Sequence, residues 1–506
     1  MKNLVSAFIF VVCVKTISGD SPCVSRDVEY GRVCVCNSTY CDTVPQVLNL
    51  ASTEYQLYST SAENIGFHAS TGKFSGNARS TSLSVTVPEI NKNGEVIMGF
   101  GGAFTDTTSY DILSLSADLQ EFLLQSFFGK DGIEYTINRV TMGASDFSLR
   151  AYSHCDTKDE TLGKFALQDE DLKYKIPLIK KAQAIRGEEF KLFLSSWSSP
   201  VWMKTVEDFR GTGVLKDEYQ ALWAEYYIKF LTAYREQGVE FWGITPQNEP
   251  YSSPDWNINL LFTYESLRDW ILEHFGPAIR NSSFKDLKIM LLDDTTIHLT
   301  SFQNTTLSRK EIYDYADGIA IHWYQNDKNQ ESWFNFPENL FVLGTEACQN
   351  VNGYLSNMMV RLGDWSRGVD YVNDILYDLN HHFNGWIEWN FALSNVGGPS
   401  WMNVSLDAPV IISEARDEFY KEPMFYVLGH FSKFLVPDSV KLDITTSDAL
   451  SAANVKAAAF LRPDDKVAVI ISNQSNNPVT VQINIAGAVE SIDFEANSLN
   501  TLLYNQ

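Results

Sequence analysis

The chain has 506 residues, with 63 acidic side chains against 39 Lys and Arg, a net charge of −24 and a pI of about 4.7. A field of that sign excludes nucleic-acid binding through the bulk surface. It also repels anionic lipid at neutral pH, and less so near about pH 5, where carboxylates begin to take up protons.

The first segment has Lys2, an apolar stretch, and small residues at Ser18 and Gly19. It predicts a cleaved signal peptide over 1–19. The stretch is shorter than the ~20 residues that spanning takes, and no later segment is apolar enough to span. Cys13 falls in this leader. Cys23, Cys34, Cys36 and Cys41 then crowd together, while Cys155 and Cys348 stand apart. In a secretory context the four read as two disulfides, and spacing alone allows three connectivities. A zinc site would be the alternative, but an oxidising compartment and the lack of a nearby His argue against it. Cys155 and Cys348 read as free thiols, with Cys348 a small packing residue rather than a reactive one. Sequons at Asn37, Asn281, Asn304, Asn403 and Asn473 suit a glycosylated lumenal protein.

Eight short apolar runs follow: 95–100, 136–142, 191–198, 240–245, 287–294, 318–324, 339–346 and 385–390. Such runs read as buried parallel strands. Most are separated by a helical pattern. Ser116 is placed to cap a helix whose apolar positions are Leu119, Phe122, Leu123 and Phe127. Leu222, Trp223, Tyr226, Tyr227, Phe230 and Tyr234 repeat at three and four, and Gly238 stops them. Strand and helix alternating eight times predicts an α/β fold, a (β/α)8 TIM barrel, with its active site at the carboxyl ends of the strands.

Glu249 follows the fourth run and Glu346 ends the seventh. Two carboxylates delivered this way are what a retaining glycoside hydrolase needs: one protonates the leaving oxygen and the other attacks the anomeric carbon. Asp106, Arg139, Asp146, Trp197, Asn248, His322, Tyr324 and Trp389 stand at the other strand ends. Amides and carboxylates can hold hydroxyls, and indole faces can stack on a sugar ring. The glycines Gly99, Gly101 and Gly102 lack phosphate-loop spacing and read as a strand-to-loop bend. His381 and His382 read as a helix end.

The segments CVCNSTYCD, GFGGAFTD, NRVTMGASDFSLRAY, SSWSSPVWMKT, NEP, AIHWY, TEAC, GWIEWN and FYVLGHFSKF lie in the chain in that order. Over nearly its whole length the chain resembles the glucosylceramidase family of retaining clan-A glycoside hydrolases. The resemblance implies hydrolysis of glucosylceramide to glucose and ceramide, with Glu249 as acid/base and Glu346 as nucleophile. It implies that Asp146, Trp197, Asn248 and Trp389 hold the glucosyl unit, with Tyr324 near the nucleophile. Arg139 and His322 would join them, helping to keep Glu346 ionised. It implies disulfides Cys23–Cys34 and Cys36–Cys41, no cofactor and no metal. A saposin-type activator and anionic lipids are the implied partners. The implied location is the lysosome, peripheral on lumenal membranes, with secretion as the alternative.

Alternating β-branched segments at 466–472 and 478–486 predict an antiparallel β module. The domain scheme is a β-sandwich from 47–93 and 438–506, a small disulfide-bonded β unit from 20–46 and 391–422, and a barrel from 94–390 and 423–437. Two entrance loops, after Pro250 and from Tyr324 to Phe336, are shorter than in the mammalian family members. The aglycone is therefore less legible than the glucose subsite, and Asn403 falls in an entrance loop. A β-xylosidase or β-1,6-glucanase on the same scaffold is one alternative. A catalytically silent sugar-binding receptor is another.

Overall fold

The structure is a computed structural model that describes residues 21–76, 79–88, 94–251, 255–324, 336–349, 360–485 and 488–505. The predicted leader over 1–19 lies outside them, as do parts of the two shortened entrance loops, residues 252–254 and 325–335. Among the described residues no helix is long and apolar enough to cross a membrane.

Eight parallel strands close into a barrel: β1 (Gly99–Phe104), β2 (Ile137–Met142), β3 (Lys191–Ser196), β4 (Gly243–Ile244), β5 (Lys288–Thr295), β6 (Gly318–His322), β7 (Phe341–Glu346) and β8 (Phe383–Asn390). Each pairs with the next, and β8 pairs with β1. The lower interior is filled by a layer of Ile137, Phe193, Met290, Ala320, Leu343 and Ile387. The barrel is thus a packed core, and room for chemistry exists only at the carboxyl ends of its strands. Helices cover the outside. Ser116 caps Ala117–Phe128 by accepting from the Leu119 N–H, and Gln220–Glu236 buries Trp223, Tyr226, Tyr227, Phe230 and Tyr234.

Two strands depart furthest from the runs that predict them. The first barrel strand begins at Gly99, because Val96 pairs with Val440 of the accessory sandwich. The glycines are then not a bend but part of β1 itself. A Cβ on Gly101 would collide with the Ile137 carbonyl oxygen, and Gly99 has φ +143°, so side chains there would hold β1 off β2. The fourth strand keeps only Gly243 and Ile244 of the run 240–245. Pro246 cannot donate to a ladder and turns the chain into the loop that carries Glu249.

A six-stranded sheet has the order Val440–Leu442, Val455–Leu461, Lys466–Asn473, Ser498–Asn505, Glu54–Ser61 and His68–Lys73. It faces a four-stranded sheet of Thr445–Thr446, Ser84–Val87, Val479–Ile485 and Ala488–Phe494 across a shared apolar core. All these pairs are antiparallel except Ser84–Val87 with Val479–Ile485. A third sheet joins Ser25–Val28 and Gly31–Asn37 to Glu418–Lys421, Val410–Ile412 and Ala392–Ser394. Disulfides Cys23–Cys34 and Cys36–Cys41 lie in its amino-terminal part, and Cys155 and Cys348 are buried thiols.

Candidate active site

The centre of the site is a residue absent from the strand-end set that the sequence predicts. Asp293, near the end of β5, sits at a bulge where Leu292 and Asp293 take φ values of +77° and +51°. The bulge turns its carboxylate into the barrel, where it is completely buried. Oδ2 accepts from Arg139 Nη2 at 2.8 Å, Ser195 Oγ at 2.9 Å and Thr245 Oγ1 at 2.6 Å. Oδ1 accepts from Thr345 Oγ1 at 2.9 Å and faces His322 Nε2 at 3.1 Å. Five side chains from five different strand ends are fixed by one carboxylate. Burial opposes its charge, but Arg139 and His322 hold it well below the usual range.

Arg139 rises from β2 and is fully buried. One arm of its guanidinium bonds Asp293 and Asn248 Oδ1, the latter at 2.7 Å, while Nη1 is ion-paired to Glu346 Oε2. Its face lies 4.8 Å from the Trp197 ring and 5.5 Å from Trp389. Those two indoles stack on each other at 4.9 Å with 24° between their planes.

His322 links the halves. Its Nδ1 stands 3.0 Å from Glu249 Oε1 while Nε2 faces Asp293. With a carboxylate on each side, both nitrogens donate and the ring is an imidazolium. Burial works against that charge, but Glu346, Asp293 and Glu249 outweigh it and push His322 up to about 10. Tyr324 donates to Glu346 Oε1 at 3.0 Å and its hydroxyl also lies 3.0 Å from Cys348 Sγ. Burial raises the Glu346 carboxyl, and the His322 and Arg139 cations oppose the rise.

Glu249 is reached through a short loop and has φ +42°, a left-handed conformation uncommon for Glu. Its N–H donates to the Asp293 carbonyl at 2.9 Å, and Tyr251 N–H donates to Asp294 Oδ2 at 3.1 Å. The turn is therefore tied to the bulge of β5 by both anchors. Selected carboxylate oxygens of Glu249 and Glu346 come within 4.8 Å of each other and of a His322 nitrogen. Glu249 is the more open of the pair, its side chain 19% exposed against 8% for Glu346. These three groups could offer metal ligands, but a cation would have to displace the Arg139 ion pair and the His322 protons.

The structure thus brings together Glu249, Glu346, Asn248, Arg139, His322, Tyr324, Trp197 and Trp389. Arg139 and His322 lie beneath the carboxylates rather than at the opening, both wholly buried. Asp146 is buried beside them, its carbonyl accepting from Ser400 Oγ at 2.6 Å. Asp106 belongs elsewhere. It begins the helix Asp106–Leu113, pairs with Lys175 at 3.1 Å and accepts from Ser148 at 2.6 Å and Tyr152 at 3.1 Å. Asp293 and Asp294 carried a readable signal, two acids ending an apolar strand.

A second set of buried acids lies behind β8. Glu388 accepts from Tyr371 at 2.8 Å, Asp407 is ion-paired to Arg367, and Glu422 accepts from the Gly363 N–H at 2.7 Å. Burial raises all three, and Asp407 adds repulsion to the other two. Burial, with the charge of Glu249, also raises Asp294 to about 8. Raised carboxyls make the native state bind more protons than the unfolded chain, so their stabilisation is full below the ordinary carboxylate pKa and is lost as pH climbs through the raised values. His322 acts in the same direction above its ordinary value of 6.5. His430, which burial depresses to about 3, opposes only below 6.5. Between pH 6.5 and about 8 these groups agree, and each tenfold difference in proton affinity between the folded and unfolded chain is worth about 1.4 kcal/mol. The melting temperature is expected to fall by several degrees over that interval in a calorimetric series, and a flat or rising profile would contradict the reading.

The sequence matches the glycosyl hydrolase family 30 TIM-barrel domain over residues 97–435 and the glycosyl hydrolase family 30 beta sandwich domain over residues 438–502. It is 37% identical to the mouse (Mus musculus) lysosomal acid glucosylceramidase, covering 100% of this chain and 99% of that one. A Caenorhabditis elegans protein bearing the provisional name glucosylceramidase 3 is also 37% identical, over 94% of this chain and 92% of its own. Among solved structures, SrfJ from Salmonella typhimurium superposes with a TM-score of 0.81 at 23% identity, covering 90% of this chain and 100% of that chain.

Proposed function

The chain belongs to glycosyl hydrolase family 30, and from that premise we propose that it is a retaining β-glucosidase that releases glucose from glucosylceramide. The observation that carries the reading is the pair Glu249 and Glu346, with oxygens within 4.8 Å at the mouth of the barrel. A retaining pair needs its carboxyl groups ~5–5.5 Å apart, whereas an inverting pair must leave room for water between them.

In this mechanism Glu346 attacks the anomeric carbon as a carboxylate while Glu249 gives its proton to the leaving oxygen. His322 occupies Glu249 Oε1, so Oε2 is the oxygen free to carry that proton. Once the proton has left, the imidazolium steadies the new carboxylate, which then takes a proton from water as the water attacks the glucosyl ester. Arg139 and Tyr324 hold the two oxygens of Glu346 in place and receive its charge back when the ester breaks. Arg139 keeps Asp293 as partner while Glu346 is esterified, so no buried cation is stranded. Asn248, Asp146 and the stacked Trp197 and Trp389 hold the glucosyl ring.

The lysosomal lumen suits the charge of the chain, since repulsion from anionic lipid weakens as the carboxylates protonate. We assign it as the site of action, with a small saposin-type activator presenting the lipid. Incubation near about pH 5 with a mechanism-based β-glucosyl epoxide, followed by peptide mass spectrometry, tests the reading. A label on Glu346 supports it. No label on folded protein, repeated with xylosyl and galactosyl probes, sinks it.

Glu249→Gln separates the two roles. It should slow lipid and alkyl glucosides by about 10²–10⁴-fold, the usual range for a lost general acid, while dinitrophenyl glucoside keeps its glycosylation rate. Burst kinetics with both substrates checks this, and equal losses would remove the acid assignment.

A further inference from the structure

The five sequons are not equivalent in the folded protein. Asn473 is completely buried, its amide nitrogen donating to the Asn477 and Glu495 carbonyls at 2.9 and 2.6 Å. A sugar on that nitrogen would replace one of the two donated protons, and the buried position leaves it no room. Asn37, Asn281, Asn304 and Asn403 are exposed. Of these, Asn403 lies on the turn that packs against the segment of Ser145 and Asp146.

The turn that presents Asn403 is held in one conformation. Asn403 has φ +58°, which Asn tolerates better than most residues, and its N–H donates to the Ser400 carbonyl at 3.0 Å. The sequon hydroxyl of Ser405 donates to the Val396 carbonyl at 2.8 Å. Ser400 Oγ reaches the Asp146 carbonyl at 2.6 Å, and Trp401 Nε1 reaches the Ser145 carbonyl at 2.7 Å. The flanking Met402 and Val404 pack into the cluster that contains Trp197 and Trp389. Asn403 is therefore an exposed residue on a turn that is bonded to the Asp146 backbone and whose flanking residues share a cluster with the two indoles.

We propose that Asn403 carries an N-linked oligosaccharide that stands on the rim of the mouth and selects against glucosides embedded in a flat lipid surface, leaving small soluble glucosides unhindered. The gating half rests on the β-glucosidase reading. In the modification, the Asn403 amide nitrogen bonds to C1 of the sugar of an oligosaccharyl polyprenyl diphosphate. The C1–O bond to the diphosphate breaks, the polyprenyl diphosphate leaves, and the amide gives up one proton. The branched, hydrated glycan cannot lie between the rim and a bilayer without losing its water, whereas a single soluble glucoside diffuses past it.

The test uses the full chain secreted from eukaryotic cells. Peptide N-glycosidase in heavy-oxygen water marks each occupied Asn as labelled Asp, read by mass spectrometry. Asn403 should be labelled and Asn473 should not. Asn403→Gln and Ser405→Ala both remove the sequon, and enzymatic trimming of the folded wild-type glycan gives a third, mutation-free comparison. Each should raise kcat/KM on glucosylceramide vesicles relative to a soluble aryl glucoside by at least about threefold, since selectivity is the ratio of the two kcat/KM values. An unmodified Asn403, or an occupied one whose removal leaves that ratio unchanged, overturns the proposal. An occupied Asn403 on a protein inert toward both substrates overturns the glucosidase reading and the gating together, while the modification stands.

Discussion

Glu346→Gly is expected to lower kcat on an activated aryl β-glucoside by about 10⁴-fold or more, a loss of ~5 kcal/mol in transition-state stabilisation. The loss is large because, among the described residues, the other carboxyl group of the pair, Glu249, is already assigned as the acid and none is left to form the ester. Cys348 is two residues away, but its sulfur faces Tyr324 and burial pushes the thiol far up, so little thiolate exists to substitute. Removing the carboxylate leaves an anion-shaped space walled by the Arg139 guanidinium and the Tyr324 hydroxyl. Azide or formate should enter it and restore turnover, with Arg139 holding the anion where Glu346 Oε2 stood. Because azide then attacks from the nucleophile's side, the product should be α-glucosyl azide, resolved from the β anomer by proton NMR. Near-normal hydrolysis by the variant, or a β-glucosyl azide, would remove Glu346 from the nucleophile's position.

The parts of this site that the sequence made legible are those set by strand period and strand end. Glu249, Glu346, Trp197, His322 and Trp389 end apolar runs, and the barrel rule carries any such residue to one face. Geometry that depends on a departure from the strand was not legible. Asp293 and Asp294 end a run just as Glu346 does, yet their parity is altered by the bulge at Leu292 and Asp293, whose positive φ values alternation does not reveal. Asp106 shows the converse. It follows the first run, but the strand starts four residues later than the run, so Asp106 becomes the first residue of a helix and turns to Lys175. The fourth strand shrank for a third reason, the missing donor of Pro246. The accessory sandwich was legible as alternating β-branched segments, but its parallel pair of Ser84–Val87 with Val479–Ile485 joins residues nearly four hundred positions apart, beyond any local pattern.

Asp293→Asn, which keeps the shape of the side chain, should be nearly as harmful as loss of a catalytic group although Asp293 does not touch the sugar. The carboxylate accepts on both oxygens, and the amide can accept on only one. If the amide nitrogen takes the Oδ2 position, it points its protons at the Arg139 guanidinium. In the Oδ1 position it points them at His322 Nε2. Either orientation sets donor against donor around a completely buried side chain, and either removes the one full negative charge that Arg139 and His322 share away from the reacting pair. Breaking a buried ion pair from one side costs about 3–5 kcal/mol, so the melting temperature should drop clearly. The kcat should fall by about 10²–10³-fold, because Arg139, released on that side, can no longer hold Glu346 and Asn248 in register. A structural role alone would lower stability and leave the pH profile in place. Here His322 loses a carboxylate that helps push it to about 10, so its proton should leave at lower pH, and kcat should acquire a basic limb shifted toward neutrality. A variant with wild-type stability and an unshifted profile would show that the bulge of β5 is not what aligns the two glutamates.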